Sequence, residues 1–205
     1  MRIIMPDPKV VLDSEDMRRT LTRIAHEIVE NGGEPERLAL AGIHRRGAVL
    51  AARLQELLRD LHDLEVPLGY LDISFYRDDL TTHGGSPIVH ATELEFDVEG
   101  RTIVIVDDVL FTGRTVRAAI EALFDYGRPR RVQLAVLADR GHRELPFRPD
   151  YVGKNLPTAW SERVYVRVEE LDGEDSVTIE EYVARPEGER LDQESDPPSL
   201  DAPRR

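Results

Sequence analysis

An α/β protein is what the residue pattern of this chain predicts: a central parallel sheet flanked by helices, with a small hood-like β-rich subdomain toward the C-terminus. Three observations carry that expectation. Short, wholly apolar runs recur at 38–43, 103–106 and 134–138, as suits strands covered on both faces. Segments of helical period follow the first two runs, giving a β–α–β rhythm. Beyond residue 160 the pattern changes to alternation, with Val164, Val166 and Val168 between polar residues, the mark of a half-buried strand.

The elements follow in order. A helix is expected over 13–31, capped by Asp13 or Ser14 and stopped at Asn31-Gly32-Gly33. Met17, Leu21, Ile24 and Ile28 form its apolar stripe, with Arg19, Thr22, Arg23 and His26 on the other side. Strand 38–43 leads through His44-Arg45-Arg46-Gly47 into a helix at about 48–60, with Leu50, Leu54, Leu57 and Leu58 inward. A strand at about 66–75 precedes a polar stretch from Tyr76 to His90. Strand 102–107, helix 114–126 and strand 131–138 complete the rhythm. Residues 139–159, with Pro146, Pro149 and Pro157, read as loop; 163–168 and 176–183 read as strands. One domain is therefore expected over 1–183, its hood drawn from about 139–183. Residues 184–205, acidic and nearly devoid of apolar side chains, are expected to form a disordered tail.

Composition narrows the class. With 205 residues, 40% of them hydrophobic, the chain can bury a real core. It has no cysteine, which excludes disulfides, thiol catalysis and thiolate metal sites. No apolar run approaches the roughly 18 residues of a membrane span, and the opening residues do not read as a signal peptide. A cytoplasmic protein without a membrane partner is expected. The net charge of −13 argues against a non-specific nucleic-acid binder. Residues 127–159 run the other way, with 7 basic and 3 acidic residues, so an anion-facing surface can exist on an acidic protein.

The most informative stretch runs from Ile103 to Thr115. An apolar strand ends in Asp107-Asp108, followed by Val109-Leu110-Phe111, then Thr112-Gly113-Arg114-Thr115 opening a helix. Unpaired N–H groups and the dipole at a helix N-terminus favour a phosphate. Gly113 lets the backbone approach it, and Thr112 and Thr115 add hydroxyl donors. Two carboxylates at the strand end can accept hydrogen bonds from sugar hydroxyls beside that phosphate. The plainer reading is a strand end and a capped helix, and the full pattern makes it much the weaker one. Neither a G-x-x-x-x-G-K-[ST] nor a G-x-G-x-x-G loop occurs.

This stretch resembles the phosphoribosyl-diphosphate (PRPP) signature of the type I phosphoribosyltransferases. Other segments narrow the likeness: Leu71 to Leu80, Gly127-Arg128-Pro129, Asp139-Arg140-Gly141-His142-Arg143-Glu144-Leu145-Pro146 and Asp150 to Thr158. With these the chain, from about Val11 to Tyr182, resembles the pyrimidine-operon attenuation regulators, which bind leader RNA in response to uridine nucleotides and make UMP from uracil and PRPP. The resemblance implies that Asp107 and Asp108 bind ribose hydroxyls and that Thr112, Gly113, Arg114 and Thr115 hold the 5′-phosphate. It also implies that the Gly42–Gly47 loop, with Arg45, Arg46 and Gly47, binds diphosphate, although His44-Arg45 departs from the small or hydroxyl residue expected there. Arg77 would belong to a mobile loop that closes over the site, where an ordinary surface ion pair is its plainer reading. Asp107, Asp108 and Arg77 are then the catalytic set, and Mg²⁺ is held mainly by PRPP, with no side-chain metal site. Residues 139–159 match the hood over the pyrimidine. Phe111 stands where hypoxanthine-guanine enzymes of the superfamily carry an aspartate, which disfavours that base.

The resemblance further places Thr22, Arg23 and His26, with Arg140, Arg143, Arg148 and Lys154, near an RNA-binding surface; a solvated helix face is the plainer reading. The partners implied are PRPP, uracil, UMP or UTP, the leader RNA of a pyrimidine operon, and further copies of the chain in a dimer or larger homo-oligomer. Two alternatives stay open at this point. One is a salvage phosphoribosyltransferase without an RNA role; the other is an RNA-binding regulator that keeps the pocket only as a sensor.

Overall fold

The computed structural model describes residues 8–74 and 92–181. Arg77 with the surrounding Tyr76–Asp79 segment, and the tail 184–205, lie outside the described residues.

A short strand β1 (Lys9–Leu12) precedes helix α1 (Ser14–Asn31). Asp13 caps α1, its Oδ1 accepting the Asp16 N–H at 2.8 Å, which satisfies one donor that the helix cannot. Asp13→Ala is expected to remove about 1 kcal/mol of stability, read as a lower urea midpoint at unchanged slope; an unchanged midpoint would contradict a contributing cap. The chain continues through β2 (Leu38–Ile43), α2 (Arg46–His62), β3 (Leu68–Leu71), β4 (Thr102–Leu110), α3 (Arg114–Phe124), β5 (Arg131–Asp139) and β6 (Tyr151–Asn155). Then come β7 (Glu162–Arg167), a single helical turn α4 (Glu169–Asp172) and β8 (Ser176–Glu181).

The main sheet has five parallel strands in the order β3-β2-β4-β5-β6. Its side chains alternate between two apolar layers, as period-2 geometry requires. Leu40, Val104, Val106, Ala135 and Leu137 pack with the α1 stripe of Met17, Leu21, Ile24 and Ile28 and the α2 residues Leu50, Leu54 and Leu58. Ala39, Ala41, Ile43, Ile103, Ile105 and Val136 pack on the other face with Val116, Ala119 and Leu123 of α3. Both faces are covered, which explains why these strands read as unbroken apolar runs. A second, antiparallel sheet runs β1-β8-β7. Val166 and Val177 join it to the α1–α2 layer.

Several local features differ from the sequence expectation, and the strand read at about 66–75 is confined to Leu68–Leu71. β4 continues through the aspartates to Leu110, because Asp107 pairs with Val136 and Leu110 with Asp139 along β5. Part of the stretch read as loop is β6, the edge strand of the main sheet, pairing Ala135 with Tyr151 and Asp139 with Asn155. Its sequence, with Gly153, Lys154 and Asn155, carries little strand signal, and pairing to β5 overrides that weak propensity. β1, too short to read, is ordered by pairing with β8. Among the described residues no helix is long and apolar enough to cross a membrane.

Candidate active site

The C-terminal ends of β2, β4 and β5 converge with the N-termini of α2 and α3. Asp107 is buried, and its Oδ1 accepts the Asp108 N–H at 2.9 Å. Asp108 is half-buried, and its Oδ1 accepts the Val109 N–H at 2.8 Å. Burial pushes the Asp108 carboxyl above its ordinary range, while the Val109 and Asp107 bonds and the charge of Arg46 pull the other way.

Gly113 caps α3 in the left-handed region, at φ 94°. A side chain there would be strained and would also sit 3.0 Å from the Phe147 ring. The Thr112 carbonyl accepts the N–H groups of Glu144 and Leu145, each at 3.0 Å. Arg114 pairs with Glu144 at 2.7 Å. The turn before α3 is thereby fastened to the 139–149 loop. Thr115 is half-buried in the first turn of α3.

On the other side, α2 meets β4 backbone to backbone. A Cβ on Gly47 would lie 2.5 Å from the Val106 carbonyl oxygen and 3.1 Å from the Asp107 Cα. The Gly42–Gly47 turn thus stands directly against the β4 backbone at Val106 and Asp107. The His44–Arg45 peptide in that turn is cis. Arg45 is exposed, whereas Arg46 is half-buried and donates from Nε and Nη2 to Asp172 at 3.1 and 2.7 Å. The structure therefore brings together Asp107, Asp108, Thr112, Gly113, Thr115, Arg46 and Gly47. Asp172 is a partner that sequence reading missed; it lies 126 residues from Arg46, with no local signal.

The 139–160 segment builds an aromatic wall beside the turn. The Arg140 guanidinium lies 4.0 Å above the Phe111 ring. Trp160, the only tryptophan, has its ring 4.5 Å from that of His142 and 5.7 Å from that of Phe111. Sequence reading named His142 only as part of the 139–146 segment and did not single out Trp160. Arg140 is only 7% exposed, and it donates to Thr158 at 3.1 Å and the Glu162 carbonyl at 2.6 Å. Burial, and then the Arg163 charge, lower its pKa from the ordinary value. Arg143 donates to the Phe111 carbonyl at 2.8 Å and pairs with Asp139 at 2.5 Å. Arg140, Arg143 and the exposed Arg148 line one cleft of about 720 Å³ that also reaches Val152 and Asn155.

Helix α1 reaches β6 through Arg23. Arg23 donates to the Val152 and Gly153 carbonyls at 2.9 and 2.6 Å. Lys154, on the same strand, donates to the Val11 carbonyl at 2.9 Å. Thr22 bonds back to the Arg18 carbonyl at 3.0 Å, and His26 meets His62 edge to face at 4.7 Å. Arg23 and Lys154 thus fasten α1 and β1 to β6, Arg148 lines the cleft with Val152 and Asn155, and Arg140 and Arg143 turn inward toward Phe111.

A parallel sheet with paired carboxylates at a strand end, between a phosphate-suited helix N-terminus and a glycine-tight turn, defines the class: a type I phosphoribosyltransferase fold. The sequence pattern of the phosphoribosyl transferase domain matches residues 9–168. The bifunctional protein PyrR of Roseiflexus sp. (strain RS-1) is 58% identical over 165 residues, 80% of this chain and 90% of that protein. The bifunctional protein PyrR of Thermus aquaticus is 57% identical over 169 residues, 82% of this chain and 93% of that protein. Among solved structures, the hypoxanthine phosphoribosyltransferase of Trypanosoma cruzi superposes with a TM-score of 0.64 at 21% identity, covering 85% of this chain and 97% of that one; this shows the shared fold alone. The chain belongs to the phosphoribosyltransferase family and, within it, to the family of the bifunctional PyrR proteins.

Proposed function

We propose that this protein joins uracil to PRPP, giving UMP and diphosphate, and that it also binds the leader RNA of a pyrimidine operon as an attenuation regulator responsive to uridine nucleotides. The observation that carries the enzymatic half is the Asp107–Asp108 pair set between Gly47 and the Gly113 cap. In the reaction a uracil ring nitrogen bonds to ribose C1 as the bond from C1 to diphosphate breaks, and the nitrogen's proton leaves to solvent. Positive charge develops on the ribose and negative charge on the leaving group. Asp107 and Asp108 hold the ribose hydroxyls and oppose the first charge; the α3 N-terminus with Thr112, Gly113, Arg114 and Thr115 anchors the 5′-phosphate. Arg45, Arg46 and the Gly42–Gly47 turn face the diphosphate, and Arg77 completes the catalytic set.

Mg²⁺ would be held mainly by diphosphate and ribose oxygens with waters, in keeping with its preference for oxygen ligands and few protein ones. When bound, it neutralises charge on the diphosphate. Phe111, which cannot exchange a proton, favours a pyrimidine over hypoxanthine or guanine at that wall. One domain over 1–183 carries both activities, in the cytoplasm, as a homo-oligomer whose symmetry gathers the RNA-facing surfaces.

The RNA surface is the border of α1 and β6, with Thr22, Arg23, His26, Lys154 and Arg148 outward and Arg140 and Arg143 supporting the cleft wall. An acidic remainder suppresses non-specific binding. The test measures uracil transfer against adenine, guanine and orotate, together with binding of a pyrimidine-operon leader hairpin with and without UMP at fixed salt, against a scrambled hairpin. Uracil-selective transfer and UMP-enhanced, sequence-selective binding are expected. Transfer to another base overturns the first half, and equal affinity for the scrambled hairpin overturns the second. His26→Ala should weaken hairpin binding about fivefold to tenfold, the loss of one polar contact, and spare UMP synthesis; equal losses in both assays would contradict separate surfaces.

A further inference from the structure

Two arginines leave α2 toward the same turn of the second sheet. Arg53 pairs with Glu170 at 2.6 Å and with Asp175 at 2.8 Å. Arg46 pairs with Asp172 through two of its three nitrogens. Both pairs fasten α4 to α2, but they stand differently toward the site. Arg46 is the first residue of α2 and precedes Gly47, which has room for no side chain against the Asp107 backbone. Its positive charge is felt at the Asp108 carboxyl. Asp172 is itself held, since its Oδ2 also accepts the Val168 N–H at 2.9 Å, and Val168 is fully buried. Burial would raise the Asp172 carboxyl, yet the Arg46 and Val168 bonds keep it below its ordinary range, so it remains an anion beside the guanidinium.

We propose that Asp172 is a positioning residue for the transfer reaction, holding Arg46 on the diphosphate side of the site so that the guanidinium is oriented before substrate arrives. This rests on the phosphoribosyltransferase reading above. An unpaired arginine samples many rotamers and would lose that freedom on binding. A two-point pair with a fixed carboxylate removes most of it beforehand, which is how a supporting residue raises affinity without touching substrate. The arrangement also couples the two sheets, because α4 is the connection between β7 and β8.

The test compares Asp172→Asn with Glu170→Gln in the full chain. Asn keeps the size and the acceptor for Val168; Glu170→Gln loosens the neighbouring clamp on the same turn. Asp172→Asn should raise the KM for PRPP about tenfold and leave the KM for uracil within about twofold. Glu170→Gln should lower Tm to a similar degree and move neither KM. Equal effects of the two variants on both KM values would make the clamp purely structural and overturn the proposal. A lower KM for PRPP in Asp172→Asn would overturn it too, because Asp172 would then be competing with diphosphate for Arg46. Calorimetry with inorganic diphosphate and Mg²⁺ reads the same positioning without turnover. A wild type that binds diphosphate but transfers no uracil defeats the functional reading, while the role of Asp172 still stands or falls on weaker diphosphate binding in Asp172→Asn.

Discussion

Asp108→Asn should lower kcat for UMP formation by about a hundredfold, the scale of losing one preorganised electrostatic contact to a transition state, with the folded structure retained. The sign of its stability effect makes the assignment sharper. Burial raises the folded-state pKa of Asp108 above its ordinary value of 3.8, so the folded chain releases this proton at higher pH than the unfolded chain. Its contribution to stability is then fully present below pH 3.8 and is lost as pH rises through the raised value. Asparagine cannot ionise and does not suffer that loss. Urea unfolding at acid and neutral pH should therefore show the variant gaining on wild type as pH rises, while its turnover is poor. A charge kept in a place that costs stability is what a functional carboxylate looks like. Unchanged turnover would remove Asp108 from the ribose-binding role.

Gly47→Ala should be the most disruptive single-methyl change at the site. The glycine does not adopt a positive φ, so the requirement is for space rather than conformation. The atoms in the way are the Val106 carbonyl oxygen at 2.5 Å and the Asp107 Cα at 3.1 Å. Both belong to the backbone of β4, which lies between β2 and β5 in the middle of the sheet and cannot yield without disturbing the pairing on either side. Overpacking of this kind costs about 1–3 kcal/mol and sometimes more. A fall of that size in the urea unfolding free energy is expected, together with a larger fall in diphosphate affinity, since the shift is delivered to Asp107 and to the turn beside it. Near-native stability and affinity would mean that α2 can move off β4 freely.

The proposed phosphate end of this site could be picked out in the sequence because its parts are close together. Asp107, Asp108, Thr112, Gly113 and Thr115 lie within nine residues, and a strand leading into a helix N-terminus leaves them few ways to be arranged. The apolar runs of β2, β4 and β5 were equally plain, since a strand covered on both faces has no polar interruptions. Charge was less informative than it looked. Arg140 and Arg143 stand out in the sequence as part of a basic island, yet their guanidinium groups turn inward to Phe111, Thr158 and backbone carbonyls, because an arginine can be buried once its donors find acceptors. The residues alone thus determined the fold class, the order of the main-sheet elements and the carboxylate–phosphate motif, all of which depend on local periodicity and spacing. Folding in three dimensions determined that 151–155 completes the sheet, that Gly47 must be small, and that Asp172 meets Arg46. Those contacts join segments far apart in the chain, and no local pattern encodes which distant surfaces will meet when the apolar layers close.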